Sequence, residues 1–444
     1  MKILNDIANI FKIEELKDRI LYTVGFILIF RLGSFIMLPG LNYSAVHNQG
    51  DAEGWIGMFD NFLGGAFSNK AIFGLGIMPY ITASIVIQLL TVAVPYFQRL
   101  QKEGASGTKK INQLTRLLTL VVCVFQSIGY LTAYVDPNIV LLDNLLLFRI
   151  MSVIVLTTGT FFCVWLGEKI TEKGIGNGIS MLIMIGIISR LPASFISEAF
   201  VDKKVEGLLF VVMELGVLYF IFMGVVMLTK GVRNIPVSYA KQVVGSKVYG
   251  GARNSIPIKV NTAGVMPIIF AQSLMFLPGI FLSSLAGEDG GNTTLTYLQK
   301  SFSQPQNFGY MALMALLIIL FTYFYTAMTV NPNNIADDLK RNGGFIPGVK
   351  PGQATADYID DVLSKITLPG AILTALVAIL PGIAILLGVG PKFAQFFGGT
   401  SLLIMVGVVL DTIQQVNSYL QMSHYDGMMK TGRVRRNSGT LAAS

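Results

Sequence analysis

The chain has 444 residues, 53% of them hydrophobic and only 13% charged, with 33 Lys and Arg against 25 Asp and Glu for a formal charge of +8. Soluble domains carry about 25% charged residues and disordered chains are poor in apolar ones, so an ordinary soluble enzyme and an unfolded chain are both excluded. The apolar residues gather in blocks near the ~20 needed to cross ~30 Å of hydrocarbon, the pattern of a polytopic membrane protein.

Ahead of the first block, Ile3, Leu4, Ile7, Ile10, Phe11 and Leu16 recur at helical spacing with polar residues between them, which predicts an amphipathic helix over 1–19 lying on the membrane surface or against a partner. Spans are predicted at 20–38, 71–93, 114–134, 149–167, 177–195, 208–229, 262–283, 309–330, 367–388 and 399–418. No small-residue cleavage site follows the first, so it reads as a retained helix and not a signal peptide. The stretch 58–70, MFDNFLGGAFSNK, is too short and Gly-broken to cross. It suits either a half-helix folded back into the bundle or a surface loop anchored by Phe. Gly76 with Pro79, Gly264 with Pro267, Pro278, Pro369 and Pro381 predict broken or bent helices.

Alternate assignment of the loops puts 25 Lys and Arg on one side and 6 on the other, so by the positive-inside rule both termini, including the basic tail 419–444, are cytoplasmic. Two loops on that side, 230–261 and 331–366, are long, basic and rich in Gly and Pro. In the first, Val, Tyr and Ile alternate with polar residues, which predicts a projecting hairpin. Its Lys241, Lys247, Arg253 and Lys259 suit phosphates or an acidic protein surface, or are simply a solvated basic loop.

Material for catalysis is thin. Cys123 and Cys163 sit in apolar blocks, and His47 and His424 are far apart, so no metal ligand set and no catalytic residue is expected. No phosphate-cradling GxxxxGK[ST] loop occurs, and no cofactor is implied. Charges within or near spans are few: Arg31, Arg149, Arg190, Glu214 and Asp411. A secondary transporter of a small solute, the alternative to a passive channel, should converge polar groups at mid-depth.

Seven strings resemble the SecY family of protein-translocation channels: FRLGSFIMLPG (30–40), GIMPYITASIVIQLL (76–90), KEGASGTKKINQLTR (102–116), WLGEKITEKGIGNGIS (165–180), KVNTAGVMPIIFA (259–271), NPNNIADDLKRNGGFIPGVKPG (331–352) and FGGTSLLI (397–404). The resemblance runs along essentially the whole chain. It implies an all-α multi-pass membrane protein of ten transmembrane helices in two pseudo-symmetric five-helix halves, 20–195 and 208–418, joined by an outer hinge loop at 196–207, with a re-entrant plug helix near 58–70. It implies an apolar pore ring at Ile77, Ile81, Ile179, Ile183, Ile269 and Ile404, of which the pairs 77/81 and 179/183 are each four apart and share a helix face. Such a ring narrows and dewets a pore. The plug would include Phe59, Asp60, Phe62, Gly64 and Gly65, and Asp60 departs from the neutral polar residue usual there. Thr82, Gln88, Gln126 and Asn261 would belong to a lateral gate.

The long loops, with Lys241, Lys247, Arg253, Lys259, Lys340, Arg341 and Lys350, would dock the ribosome, through RNA phosphates, and the SecA ATPase. Here Lys350, Ser246 and Lys247 replace common arginines, which keeps charge at the lysines but loses the planar fork. The resemblance further implies SecE and SecG subunits, signal sequences and nascent polypeptides as passengers, membrane lipids around the chain, and the plasma membrane as its site. The chain itself would be no enzyme, its work driven by the partner ATPase or by translation.

Overall fold

The computed structural model describes residues 13–48, 60, 63–202, 208–239, 242–244, 247–249, 253–272, 274–275 and 306–438. Most of residues 1–19, the outer part of 262–283, residues 203–207 and the end of the tail therefore lie outside the described residues. The long helices are α1 (Glu14–Gly33), α2 (Met78–Ala93), α3 (Ala105–Tyr134), α4 (Leu145–Lys173), α5 (Gly178–Ile196), α6 (Leu208–Lys230), α7 (Phe308–Thr329), α8 (Gln353–Leu386) and α9 (Gly399–Ser438). Among the described residues, seven helices (α3 to α9) are long and apolar enough to cross a membrane, or up to eight if α2 and the helix Pro95–Lys102, bent by 97° at Val94, count as one span. In α1 the charged Glu14, Glu15, Lys17, Asp18 and Arg19 at its start and Arg31 near its end leave a shorter apolar run.

Two compact units divide the chain: Met1–Ala52 with Phe59–Arg190 and Gly407–Ser444, and Glu53–Met58 with Leu191–Val406. In the first, the predicted span 20–38 ends early, at Gly33, where the ring of Phe73 lies against the glycine and leaves no room for a side chain. Residues beyond it turn away, Leu38 N–H donating to the Lys70 carbonyl at 2.9 Å and Ile72 N–H to that of Ile36 at 2.8 Å. The predicted span 71–93 is likewise helical only from Met78, because 71–77 is a run of turns through Gly74 and Gly76, with Pro79 in the first turn of α2. The loop 174–177 between α4 and α5 is held from two sides: Thr23 Oγ1 of α1 accepts from Ile175 N–H at 3.1 Å and Gln415 Oε1 of α9 from Gly176 N–H at 2.8 Å.

The expected breaks at proline appear only in part. Pro369 and Pro381 lie inside a continuous α8, and Pro192 inside α5, as membrane helices tolerate. The sharp bend falls instead at Val94, ahead of Pro95, where the residue before proline is pushed to extended geometry (φ −112°, ψ 121°). Outward faces are apolar: Phe125 of α3 and Phe220 of α6 are more than two thirds exposed, as suits a hydrocarbon solvent.

The Arg116 guanidinium joins the Glu168 carboxylate with both oxygens at 2.7 and 2.8 Å, linking α3 to α4. Both side chains are over a third exposed, so water screens the pair. Arg116→Ala is expected to change stability by less than ~1 kcal/mol, read as a near-unchanged melting midpoint.

In the second unit, the predicted hairpin is present. β1 (Val232–Tyr239) pairs antiparallel with β4 (Arg253–Lys259), Val232 opposite Lys259 and Ser238 opposite Arg253. Between them β2 (Gln242–Val244) pairs with β3 (Lys247–Tyr249). The sequence does not predict β5 (Gly344–Phe345), which joins the other edge of β1 at Ser238 and Tyr239, past Pro236, whose missing N–H cannot serve a ladder. Ile235, Val237 and Ile258 of this sheet close a small core with Leu339, Ile346, Ile359 and Leu363. The two long loops are thereby one folded body.

Candidate functional site

Among the described residues, the stretch from Asp60 to Ile77 is a run of turns held by contacts from several helices of the first unit. Asp60 has helical backbone, but over 63–70 the expected half-helix gives way to successive turns. Gly64 and Gly65 have φ of +62° and +94°, left-handed conformations that glycine adopts without a Cβ clash and that no α-helix contains. Phe59 and Phe62 lie outside the described residues.

Asp60, 1% exposed, organises these turns. Its Oδ1 accepts from the N–H groups of Phe67 and Ser68, both at 3.1 Å, and its Oδ2 from Ser68 Oγ at 2.6 Å. The same carboxylate is paired with the Arg190 guanidinium of α5. From α1, Arg31 Nη1 donates to the Gly64 carbonyl at 3.1 Å. From α3, the Tyr130 hydroxyl donates to the Phe67 carbonyl at 2.8 Å, and the Phe67 ring packs edge-on against Tyr130 and Tyr134. Burial lowers the Lys70 pKa, while the Asp60 carboxylate acts in the opposite direction. Arg31 and Arg190 are visible in the sequence as rare charges within or near spans, a sign of function. Their common target is visible only in three dimensions.

Beneath these turns lies an apolar cavity lined by Phe30, Leu63, Ile77, Met78, Ile81, Leu182 and Ile183. Ile77 caps α2 and Ile81 follows one turn later; Ile179 and Ile183 occupy successive turns of α5. Ile77, Ile81 and Ile179 share one cluster with Leu63 and Ala66 of the turns. Four isoleucines singled out in the sequence are thus brought together within the first unit. Ile404 (buried) and Ile269 (half-buried) belong to the second.

Thr82 satisfies its hydroxyl on its own helix, donating to the Met78 carbonyl at 3.1 Å. Gln88 Oε1 and Asn261 Oδ1 are buried without a hydrogen-bond partner among the described residues. Gln126 is half-buried on α3. Lys259, Lys340, Arg341 and Lys350 are exposed, Arg253 opens β4 and Lys247 lies in β3, while Lys241 lies outside the described residues.

Known proteins resemble this chain. A family model described as SecY matches residues 71–413. The protein translocase subunit SecY of Escherichia coli (strain K12) is 42% identical over 430 residues, covering 95% of each chain. That of Mycobacterium tuberculosis (strain ATCC 25618 / H37Rv) is 39% identical over 433 residues, 94% of this chain and 97% of the other. Of solved structures, a protein-conducting channel superposes with a TM-score of 0.61 at 16% identity, over 90% of this chain and 92% of that one. Sec61 in a canine ribosome-channel complex from the endoplasmic reticulum does so with a TM-score of 0.57 at 15% identity, over 90% and 92%. At such identity these two establish a shared multi-pass helical fold. With full-length relatives near 40% identity and a family model spanning more than half its residues, the chain belongs to the SecY family.

Proposed function

We propose that the chain is the channel subunit of a protein translocase, passing unfolded polypeptides across a membrane and releasing apolar signal sequences and membrane helices sideways. It conducts and does not catalyse. The observation that carries this reading is the closure of the first unit: a segment of turns, anchored by charge, seated through Leu63 on the isoleucines of α2 and α5. Isoleucine side chains offer no hydrogen bonds to water or ions, so a constriction built of them dewets when unoccupied yet yields to a chain of any sequence.

In this reading residues 58–70 are the plug, Ile269 and Ile404 complete the ring, and spans one to five and six to ten are the two halves. Gln88, Gln126, Thr82 and Asn261 are the polar residues of the lateral gate, where a hydrogen bond between membrane helices is worth only about 0.6 kcal/mol. The sheet β4-β1-β5, with Lys259, Lys340, Arg341 and Lys350 exposed nearby, forms the dock for the SecA ATPase and the ribosome, which supply the energy. SecE and SecG complete the complex, which sits in the plasma membrane with both termini cytoplasmic, as the 25 to 6 distribution of positive charge supports.

The test is conductance of the purified complex in a planar bilayer, with and without residues 58–70. A silent intact channel and large, flickering currents after deletion are expected. Silence from both, with saturable uptake of a small solute, would overturn the channel reading in favour of a transporter.

A further inference from the structure

Resting on the reading of 58–70 as the plug, we propose that Asp60 and Arg190 form an ion-pair latch that sets how firmly this channel is closed. Most of what holds the plug is apolar contact or backbone hydrogen bonding. Contacts of Leu63, Ala66 and Phe67 are non-directional and permit sliding, and the carbonyls of Gly64 and Phe67 can exchange their donors for water. The Asp60–Arg190 pair differs in both respects. It joins the plug to α5, one of the two helices that carry the isoleucines, and the carboxylate is almost wholly shielded from solvent.

Asp60 also holds the plug's own shape, through the Phe67 and Ser68 amides and the Ser68 hydroxyl. One carboxylate therefore couples the fold of the plug to its seat. The backbone is shaped to admit this: at Gly65 a Cβ would stand 2.8 Å from Arg190 Nη2, and at Gly64 one would meet Arg31 and come within 3.0 Å of the Gly186 Cα on α5. The glycines let both guanidinium groups lie flush on the turns. When the plug leaves, Asp60 and Arg190 must separate, and a buried charge that loses its partner is far less stable than a pair removed together. The latch therefore acts only against opening. A neutral residue at position 60 keeps an acceptor for the turn amides and gives up the tie to Arg190.

The test uses the reconstituted complex with no passenger polypeptide, recording resting conductance for the wild type, the 58–70 deletion, Asp60→Asn, Arg190→Gln, Arg190→Lys and the double variant Asp60→Asn/Arg190→Gln. Size-exclusion profiles of each complex establish that it is assembled. Asp60→Asn and Arg190→Gln are expected to raise resting conductance about tenfold or more, below the level of the deletion. Arg190→Lys, which keeps the charge, should restore most of the closure. The double variant should leak no more than the worse single one, because both changes remove the same contact. Currents from the deletion with silence from both single variants overturn the latch and leave the plug reading standing. Additive effects in the double variant also overturn it, since Arg190 would then act independently of Asp60. Silence from the deletion overturns the plug reading and the latch with it. If the Arg190→Gln complex fails to assemble, Asp60→Asn and Arg190→Lys decide the question by the same criteria.

Discussion

Replacing Gly178 by alanine is expected to destabilise the folded chain severely. Gly178 opens α5 pressed against the last turns of α4. An added Cβ would fall far inside van der Waals contact distance of the Gly167 carbonyl oxygen, and stand 2.9 Å from its carbon and 2.7 Å from the Ile170 Cβ. The first two are atoms of a helix backbone and the third is fixed directly to it, so none can swing aside as a side-chain tip can. The contact is locked further by Thr171, whose hydroxyl donates to the Gly167 carbonyl at 2.9 Å and accepts from Gly178 N–H at 2.9 Å. Relief requires α5 to move, and with it Ile179 and Ile183. Overpacking costs about 1–3 kcal/mol where side chains can adjust, and this site belongs at or above the top of that range. The measurement is the thermal midpoint of the detergent-solubilised complex. Gly224→Ala on α6, where an added methyl meets nothing within 4 Å, serves as the comparison. That change should leave the midpoint unchanged or raise it slightly, because alanine is the better helix former by up to about 1 kcal/mol. Equal midpoints for the two variants would show that α4 and α5 are not in the contact described.

Ile235→Asp is expected to unfold the cytoplasmic sheet while leaving the membrane helices intact. Ile235 is 3% exposed in the centre of a core made with Val237, Ile258, Leu339, Ile346, Ile359 and Leu363. An unpartnered carboxylate there costs several kcal/mol, more than so small a core can absorb. Because β1 is paired on one side with β4 and on the other with β5, its loss releases both loops together. Proteolytic cleavage within 231–260 should accelerate on the order of a hundredfold, as expected when local opening is favoured by about 3 kcal/mol. Binding of SecA to proteoliposomes should fall in parallel, with far-UV circular dichroism changed only slightly. Lys259→Glu, an exposed change in the same sheet, should weaken docking without accelerating cleavage. A cleavage rate unchanged by Ile235→Asp would mean that the loops do not share a core.

Much of the fold was legible because its signals are local. The period of the apolar blocks put a predicted stretch on each of nine long helices, several of which run beyond it, and alternating Val, Tyr and Ile placed the hairpin β1–β4. Errors arose where a distant contact set the boundary. α1 stops at Gly33 because Phe73 arrives there, and α2 starts late because the turns through Gly74 and Gly76 must reach its N-terminus. The stretch 63–70 has enough apolar residues for a half-helix, but the carboxylate of Asp60 captures the Phe67 and Ser68 amides and the two glycines take left-handed backbone. A two-residue strand such as β5 carries no period at all, and its existence depends on the exposed edge of β1.

By itself the sequence determined that the chain crosses a membrane many times and, through seven distinctive strings, its family; these follow from hydropathy and residue order, which need no partner. Only the tertiary structure decided that Arg31 and Arg190, 159 positions apart in the sequence, converge on the same eleven-residue segment. It also decided that four isoleucines from α2 and α5 meet under Leu63, and that two separate loops fold as one sheet. A charge or an isoleucine looks the same in a sequence whatever it touches. Its role comes from the groups that packing places within a few ångströms, where desolvation turns a weak contact into a decisive one.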